Sequence, residues 1–340
     1  MNTATRRELV AERVEAIRRV LAERGESAAL LTSRRNFAWA TLGGENHVLL
    51  SREEGVASLL VTRTDVVVLT AVNEAARIGD EEVADLPISV EALPWHDDGA
   101  IDRAARRLAG SRPLDDAALE SSILPLRCIL SDPEADRLAE LGARAVAAMD
   151  AGIGGVEAGI TEHEAASMMA GRLASDGIRT PILLAAADER IDRYRHPLPS
   201  ARRVRHRLML VVVAERWGLH AAVTRFAELR EPGAELARRQ SAVDRIHETM
   251  VAATRPGQTL GGVLAAARAA YAEAGHPDEW KLHHQGGIIG YQGRERIAMP
   301  DDPTIIREGM AFAWNPSITG TKTEATMLVT PHGPRVLTAG

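Results

Sequence analysis

The second half of the chain runs twice through one order of elements, a pair of helices followed by short apolar segments. This repeat limits the fold more than any other feature. In the first pass Asp132-Pro133 opens a long helix reaching about residue 151, with proline in its first turn and acidic side chains near its positive end. Thr161-x-x-Glu164 is a capping box that starts a second helix, ending near Gly177. Strand signals follow at "PILLAAA", "LMLVVVAE" and "HAAVTRFAE". In the second pass a helical stretch runs from Ala234 to Arg255, Pro256-Gly257 breaks it, and "LGGVLAAARAAYAEAG" makes its partner. The segments "GGIIGYQG", "MAFAWNPS" and "ATMLVTP" then read as strands. A two-fold internal repeat of this kind predicts a curved sheet backed by helices, with a site in the concavity.

The first half has another pattern. Leu9, Val10, Val14, Ile17, Val20 and Leu21 recur at helical spacing, and Gly25 ends that helix. "SAALLTS", "VASLLVT" and "DVVVLTA" read as strands, and "AIDRAARRLAG" as a helix closed by Gly110. This alternation predicts a separate α/β domain. The stretch "LPLRCILSDPEADRL" reads as a linker, so domains are expected at 1–130 and 131–340. A chain of 340 residues is long enough for two.

Composition excludes several classes of function. The net charge is −6, and the arginines are interleaved with Glu and Asp along helical stretches, which suits solvated helix faces and not a nucleic-acid surface. The single cysteine, Cys128, lies among apolar neighbours, so an internal disulfide and a cysteine-based zinc site are both excluded. The N-terminal "MNTATRRELVAERVEAIRRVLAERG" is a charged amphipathic helix without the apolar core of a signal peptide. No apolar run approaches the roughly 18 residues that span a bilayer. A cytoplasmic protein with no membrane or nucleic-acid partner is therefore expected.

Residues 195–226, "RHPLPSARRVRHRLMLVVVAERWGLHAAVTRF", have the form of a strand pair that presents side chains to a pocket. With "WKLHHQGGIIGYQGRE", "MAFAWNPSITGTK" and "TEATMLVT", in that order, they resemble the pita-bread family, which includes creatinase, aminopeptidase P, prolidase and methionine aminopeptidase. "ALLTSRRNFAWATLGG" is similar to the smaller domain of creatinase and aminopeptidase P. The fold class implied is α/β (α+β): a creatinase-like N-terminal domain followed by a pita-bread domain with a pseudo-two-fold repeat.

The peptidases of this family hold two metal ions with two Asp, one His and two Glu. By the resemblance these positions fall on Val211, Ala222, His284, Asn315 and Glu324. Two divalent ions need several anionic oxygens, and Val, Ala and Asn supply none. No metal and no cofactor is expected. Creatinase shares the fold and works without metal, through a His acting as general acid and base; that position falls on His196. An imidazole takes and gives protons near neutral pH. The alternative is that His196 only caps the Pro-x-Pro loop. His284 and Glu324 complete the expected catalytic set, with Glu324 binding a cationic nitrogen or polarising water.

The resemblance implies substrate contacts from Arg294, whose guanidinium fork suits a carboxylate, and from Tyr291, Asn315, His283, Arg225 and His47. Arg294 alternatively pairs with Glu295, and Tyr291 alternatively packs in the core. Gly286, Gly287 and Gly290 either admit a ligand close to the backbone or form a bulge. Lys322 reads as a solvated turn residue. The polar loop 43–51, with Asn46 and His47, either closes the pocket of a second copy in a homodimer, as in creatinase, or is a plain surface loop.

Three functions follow. The first is a metal-independent hydrolase or lyase acting on a C–N bond of a small, zwitterionic, amino-acid-like molecule, with Arg294 and Glu324 gripping its opposite ends. The second is a non-catalytic binding or scaffold protein. The third is a metal-dependent Xaa-Pro-type aminopeptidase, reduced to one ion on His283, His284 and Glu324.

Overall fold

A computed structural model describes residues 2–339. The chain forms two compact units, Met1–Arg127 and Cys128–Gly340.

In the first unit, α1 (Thr3–Arg24) starts at Asn2, whose side chain accepts the Thr5 N–H at 2.9 Å, and stops at Gly25 with φ 71°. Its buried stripe is Val10, Val14, Ile17 and Leu21. There follow β1 (Ala28–Ser33), α2 (Arg34–Ala40), β2 (Glu54–Thr62), β3 (Val66–Ala71), α3 (Val72–Arg77), β4 (Ser89–Leu93), α4 (Ala100–Ala109) and α5 (Asp116–Arg127). The sheet order is β1-β2-β3-β4, with β4 parallel to β3 and the other pairs antiparallel. The expected linker is shorter than the sequence suggested. Leu124–Arg127 continue α5 in spite of Pro125, because buried Arg127 anchors that turn to Asn36 and Glu120. Asn46 is not free for a ligand: it is buried and donates to the carbonyls of Thr32 and Ala57.

The second unit shows the two-fold order. Its first pass is α6 (Asp132–Gly154), α7 (Glu162–Ser175), β5 (Arg179–Ala187), the short α8 (Glu189–Arg193), β6 (Arg207–Arg216) and β7 (Leu219–Glu228). Its second is α9 (Ala234–Ala253), α10 (Leu260–Glu273), β8 (Gly286–Ile289), β9 (Arg296–Ile297), β10 (Ala311–Trp314), β11 (Ser317–Ile318), β12 (Thr321–Lys322), β13 (Ala325–Thr330) and β14 (Gly333–Val336). The Thr161–Glu164 capping box forms on α7, and Ser131 with Glu134 makes a second one on α6. One sheet in the order β5-β6-β7-β13-β10-β8-β9, with β14 on β13, joins the strands of both passes.

The β6–β7 hairpin turns on Trp217 and Gly218, both at positive φ (55° and 75°), the arrangement of a two-residue hairpin loop. The guanidinium groups of Arg137 and Arg216 lie over the Trp217 ring. The glycines of β8 serve strand packing and not a ligand. A Cβ on Gly286 would meet the Ala313 carbonyl oxygen at 2.0 Å, and one on Gly287 the Arg296 carbonyl oxygen at 2.0 Å. No helix among the described residues is long and apolar enough to cross a membrane.

Candidate functional site

A pocket of about 540 Å³ opens in the second unit. Strand alternation builds its apolar part. Ile182 and Leu184 are two apart on β5, Val211 and Val213 are two apart on β6, and the register pairs Leu184 with Val211 and Ile182 with Val213. His196 comes from the loop between α8 and β6, and His283 and His284 from the segment before β8. Arg294 lies in the turn between β8 and β9. Asn315 directly follows β10, and Glu324 directly precedes β13, its antiparallel neighbour.

At the centre is a buried charge cluster. Glu324 Oε2 accepts Lys322 Nζ at 2.8 Å and Thr224 Oγ1 at 2.7 Å, while its Oε1 pairs with Arg294 Nη2 at 3.0 Å. Burial alone would raise the Glu324 pKa. The two cations outweigh it and hold the carboxyl well below the usual carboxylate range. Lys322 is also buried, and burial pulls its pKa down against the pull of Glu324. One carboxylate thus faces two cations.

The three histidines lie together. His283 Nε2 is 3.0 Å from His196 Nε2, and the His283 and His284 ring centres are 4.4 Å apart. Burial first, then the Lys322 charge, pushes His283 down to about 2. Burial and Arg294 push His284 down to about 4, and burial with Lys322 lowers His196 as well. Burial thus favours the neutral form of all three rings.

The site brings together His196, His283, His284, Arg294, Asn315 and Glu324, as the sequence implied, but changes the part that several of them play. Arg294 and Glu324, expected to bind opposite ends of a zwitterion, pair with each other here. Lys322 is not a solvated turn residue. Its signal was the spacing: residues 322 and 324 share one face of an extended segment. Tyr291 is absent from the pocket lining; it is buried and donates to Glu134 at the start of α6. Arg225 is engaged by Asp150 and by the carbonyls of Thr224 and Thr338, and does not line the pocket. His47 belongs to the first unit, where its carbonyl accepts Arg77. His196 packs edge-on to His283 rather than capping its loop.

A pair of divalent ions does not fit these residues. Val211 packs against Leu184, Ala222 is wholly buried, and Thr326 binds both the N–H and the carbonyl of Ala222. The Asn315 carbonyl oxygen accepts Arg294. Both oxygens of Glu324 are occupied by the protein's own cations, which supply the charge neutralisation that metal ions would otherwise give.

The model of metallopeptidase family M24 matches residues 136–331, more than half of the chain. A probable dipeptidase PepE of Mycobacterium tuberculosis is 33% identical over 122 residues, 34% of this chain, and the match spans only 32% of that relative's length. Among solved structures, a dipeptidase from Pyrococcus horikoshii OT3 superposes with a TM-score of 0.81 at 21% identity, over 96% of this chain and 98% of the other. Dipeptidase PepE from Mycobacterium ulcerans gives 0.79 at 20% identity, over 100% and 97%. At such identities the structural likeness establishes the pita-bread fold, and the family match establishes descent: the chain belongs to metallopeptidase family M24.

Proposed function

We propose that this family member hydrolyses a C–N bond of a small, carboxylate-bearing molecule without the family's metal pair, with His196 as the proton-transfer group. The observation that carries the reading is the charge cluster. Lys322 and Arg294 together exceed Glu324 by one positive charge, beside an apolar wall and three imidazoles whose burial favours the neutral form. Such a pocket favours an anion with an apolar portion. The dipeptidase relatives act, by name, on molecules that carry a free carboxylate, and their likeness supports a hydrolase. Metal ions stabilise the developing charge of amide hydrolysis by several kcal/mol. The creatinase resemblance adds guanidino and N-carbamoyl amino acids to dipeptides as candidate substrates.

Incubation with a panel of these compounds and of dipeptides, followed by mass spectrometry, tests the reading. The expected result is cleavage of a guanidino or carbamoyl compound, with turnover lowered about 10²- to 10⁴-fold in His196→Ala. Full turnover by His196→Ala would remove His196 from its role. A second reading, an anion-binding protein without turnover, draws on the full occupation of Glu324 by partners. Thermal stabilisation by a panel member that is never cleaved would select it. The creatinase resemblance further suggests a homodimer, which light scattering at micromolar concentration tests.

A further inference from the structure

Asn315 fixes the proton positions of the histidines beside it. Its Oδ1 lies 3.1 Å from Arg294 Nη2, and its Nδ2 lies 3.1 Å from the His284 carbonyl. A guanidinium only donates and a carbonyl only accepts, so these neighbours set the orientation of the amide. The same Nδ2 is 3.2 Å from His283 Nδ1, which facing an N–H must act as acceptor. A neutral imidazole carries one proton, so that of His283 sits on Nε2. This N–H points at His196 Nε2, 3.0 Å away, and the proton of His196 is left on Nδ1.

We propose that His283 is a second catalytic group, an N–H donor matched to the lone pair of His196, with Asn315 as the residue that positions its proton. The chemistry rests on the hydrolase reading above; the proton placement does not. In the structure donor and acceptor satisfy each other. A water and a substrate entering between the rings meet both. His196 Nε2 takes a proton from the water as its oxygen bonds to the substrate carbon. His283 Nε2–H hydrogen-bonds the atom on which negative charge gathers. The protonated His196 then returns its proton to the leaving nitrogen as the C–N bond breaks, and water is the sole co-reactant.

The same wiring opposes a cation on the three histidines, although their ligand atoms lie within 4.8 Å of one another. A ligating imidazole turns its lone pair to the metal and its remaining N–H outward to a carbonyl or carboxylate. His283 has the reverse arrangement, and Lys322 and Arg294 add positive charge nearby.

Nitrogen NMR of the full chain, labelled at histidine and assigned with His283→Gln, reads the tautomer directly. At neutral pH His283 is expected to show an unprotonated Nδ1 and a protonated Nε2. In Asn315→Asp the carboxylate accepts from the ring, and the pattern inverts. A wild-type His283 protonated at Nδ1 or at both nitrogens would overturn the proposal, as would zinc binding one per chain and shifting all three histidines. The wild-type measurement stands even if a variant fails to fold. Once a substrate is known, His283→Gln should lower kcat about 10²- to 10³-fold with little change in KM, the loss typical of one such donor. An unchanged kcat with the predicted tautomer would remove the catalytic role and leave the hydrolase reading intact.

Discussion

Lys322, Glu324 and Arg294 form one buried ion cluster in and beside the pocket. A buried carboxylate needs compensation, and here it comes from side chains two and thirty positions away in sequence. Removing one partner of such a group leaves a charge without its counter-ion, which costs about 3–5 kcal/mol. Glu324→Ala should therefore lower the urea stability of the protein by about that amount, since it strands buried Lys322. Adding Lys322→Met to Glu324→Ala should recover much of the loss, because the stranded charge goes too. A Glu324→Ala protein as stable as the parent would show that Lys322 is solvated. The residues of the pocket were legible because His196, His283, His284, Arg294, Asn315 and Glu324 occupy positions that the strand order brings together. Their partners were not, because hydrogen bonding between side chains from β12, β13 and the β8–β9 turn depends on register that composition does not carry.

Among elements, those announced by local chemistry were readable: the Thr161 capping box, the helix opened by Asp132-Pro133 and the Gly25 helix stop all appear in the fold. The error at Leu124–Arg127 has the opposite cause. Pro125 and the mixed composition suggest a linker, but the buried Arg127 contacts hold the last turn of α5. Tyr291 is a similar case, since nothing near it in sequence names Glu134, on α6. That bond joins the segment after β8 to the capping box of α6, where Glu134 also accepts the Ser131 backbone N–H at 2.9 Å. Tyr291→Phe removes one buried hydrogen bond and little volume. It should cost about 1–3 kcal/mol, read from the denaturation midpoint, and leave substrate turnover unchanged. A raised KM at unaltered stability would instead return Tyr291 to the pocket.

For the whole molecule, fold and chemistry separate. The likeness to the dipeptidase structures runs through nearly the full chain, so the helix pairs and the joined sheet form with Val at position 211 and Ala at position 222. The reason is that positions 211 and 222 lie inside the sheet. An apolar side chain there satisfies packing as well as or better than an acid, whereas an acid without metal is a buried charge. Val211 and Ala222 thus suit the sheet without ions, and Lys322 and Arg294 balance the charge of Glu324. Metal content and metal linkage follow from this. Any ion held only by the folded chain raises its stability, by about 2.7 kcal/mol at a hundred times its dissociation constant. The purified protein should carry no metal pair by elemental analysis, and its thermal midpoint should be the same in millimolar manganese and in chelator. Two equivalents of divalent metal per chain, with a midpoint that falls on chelation, would show that other residues had rebuilt the family's centre.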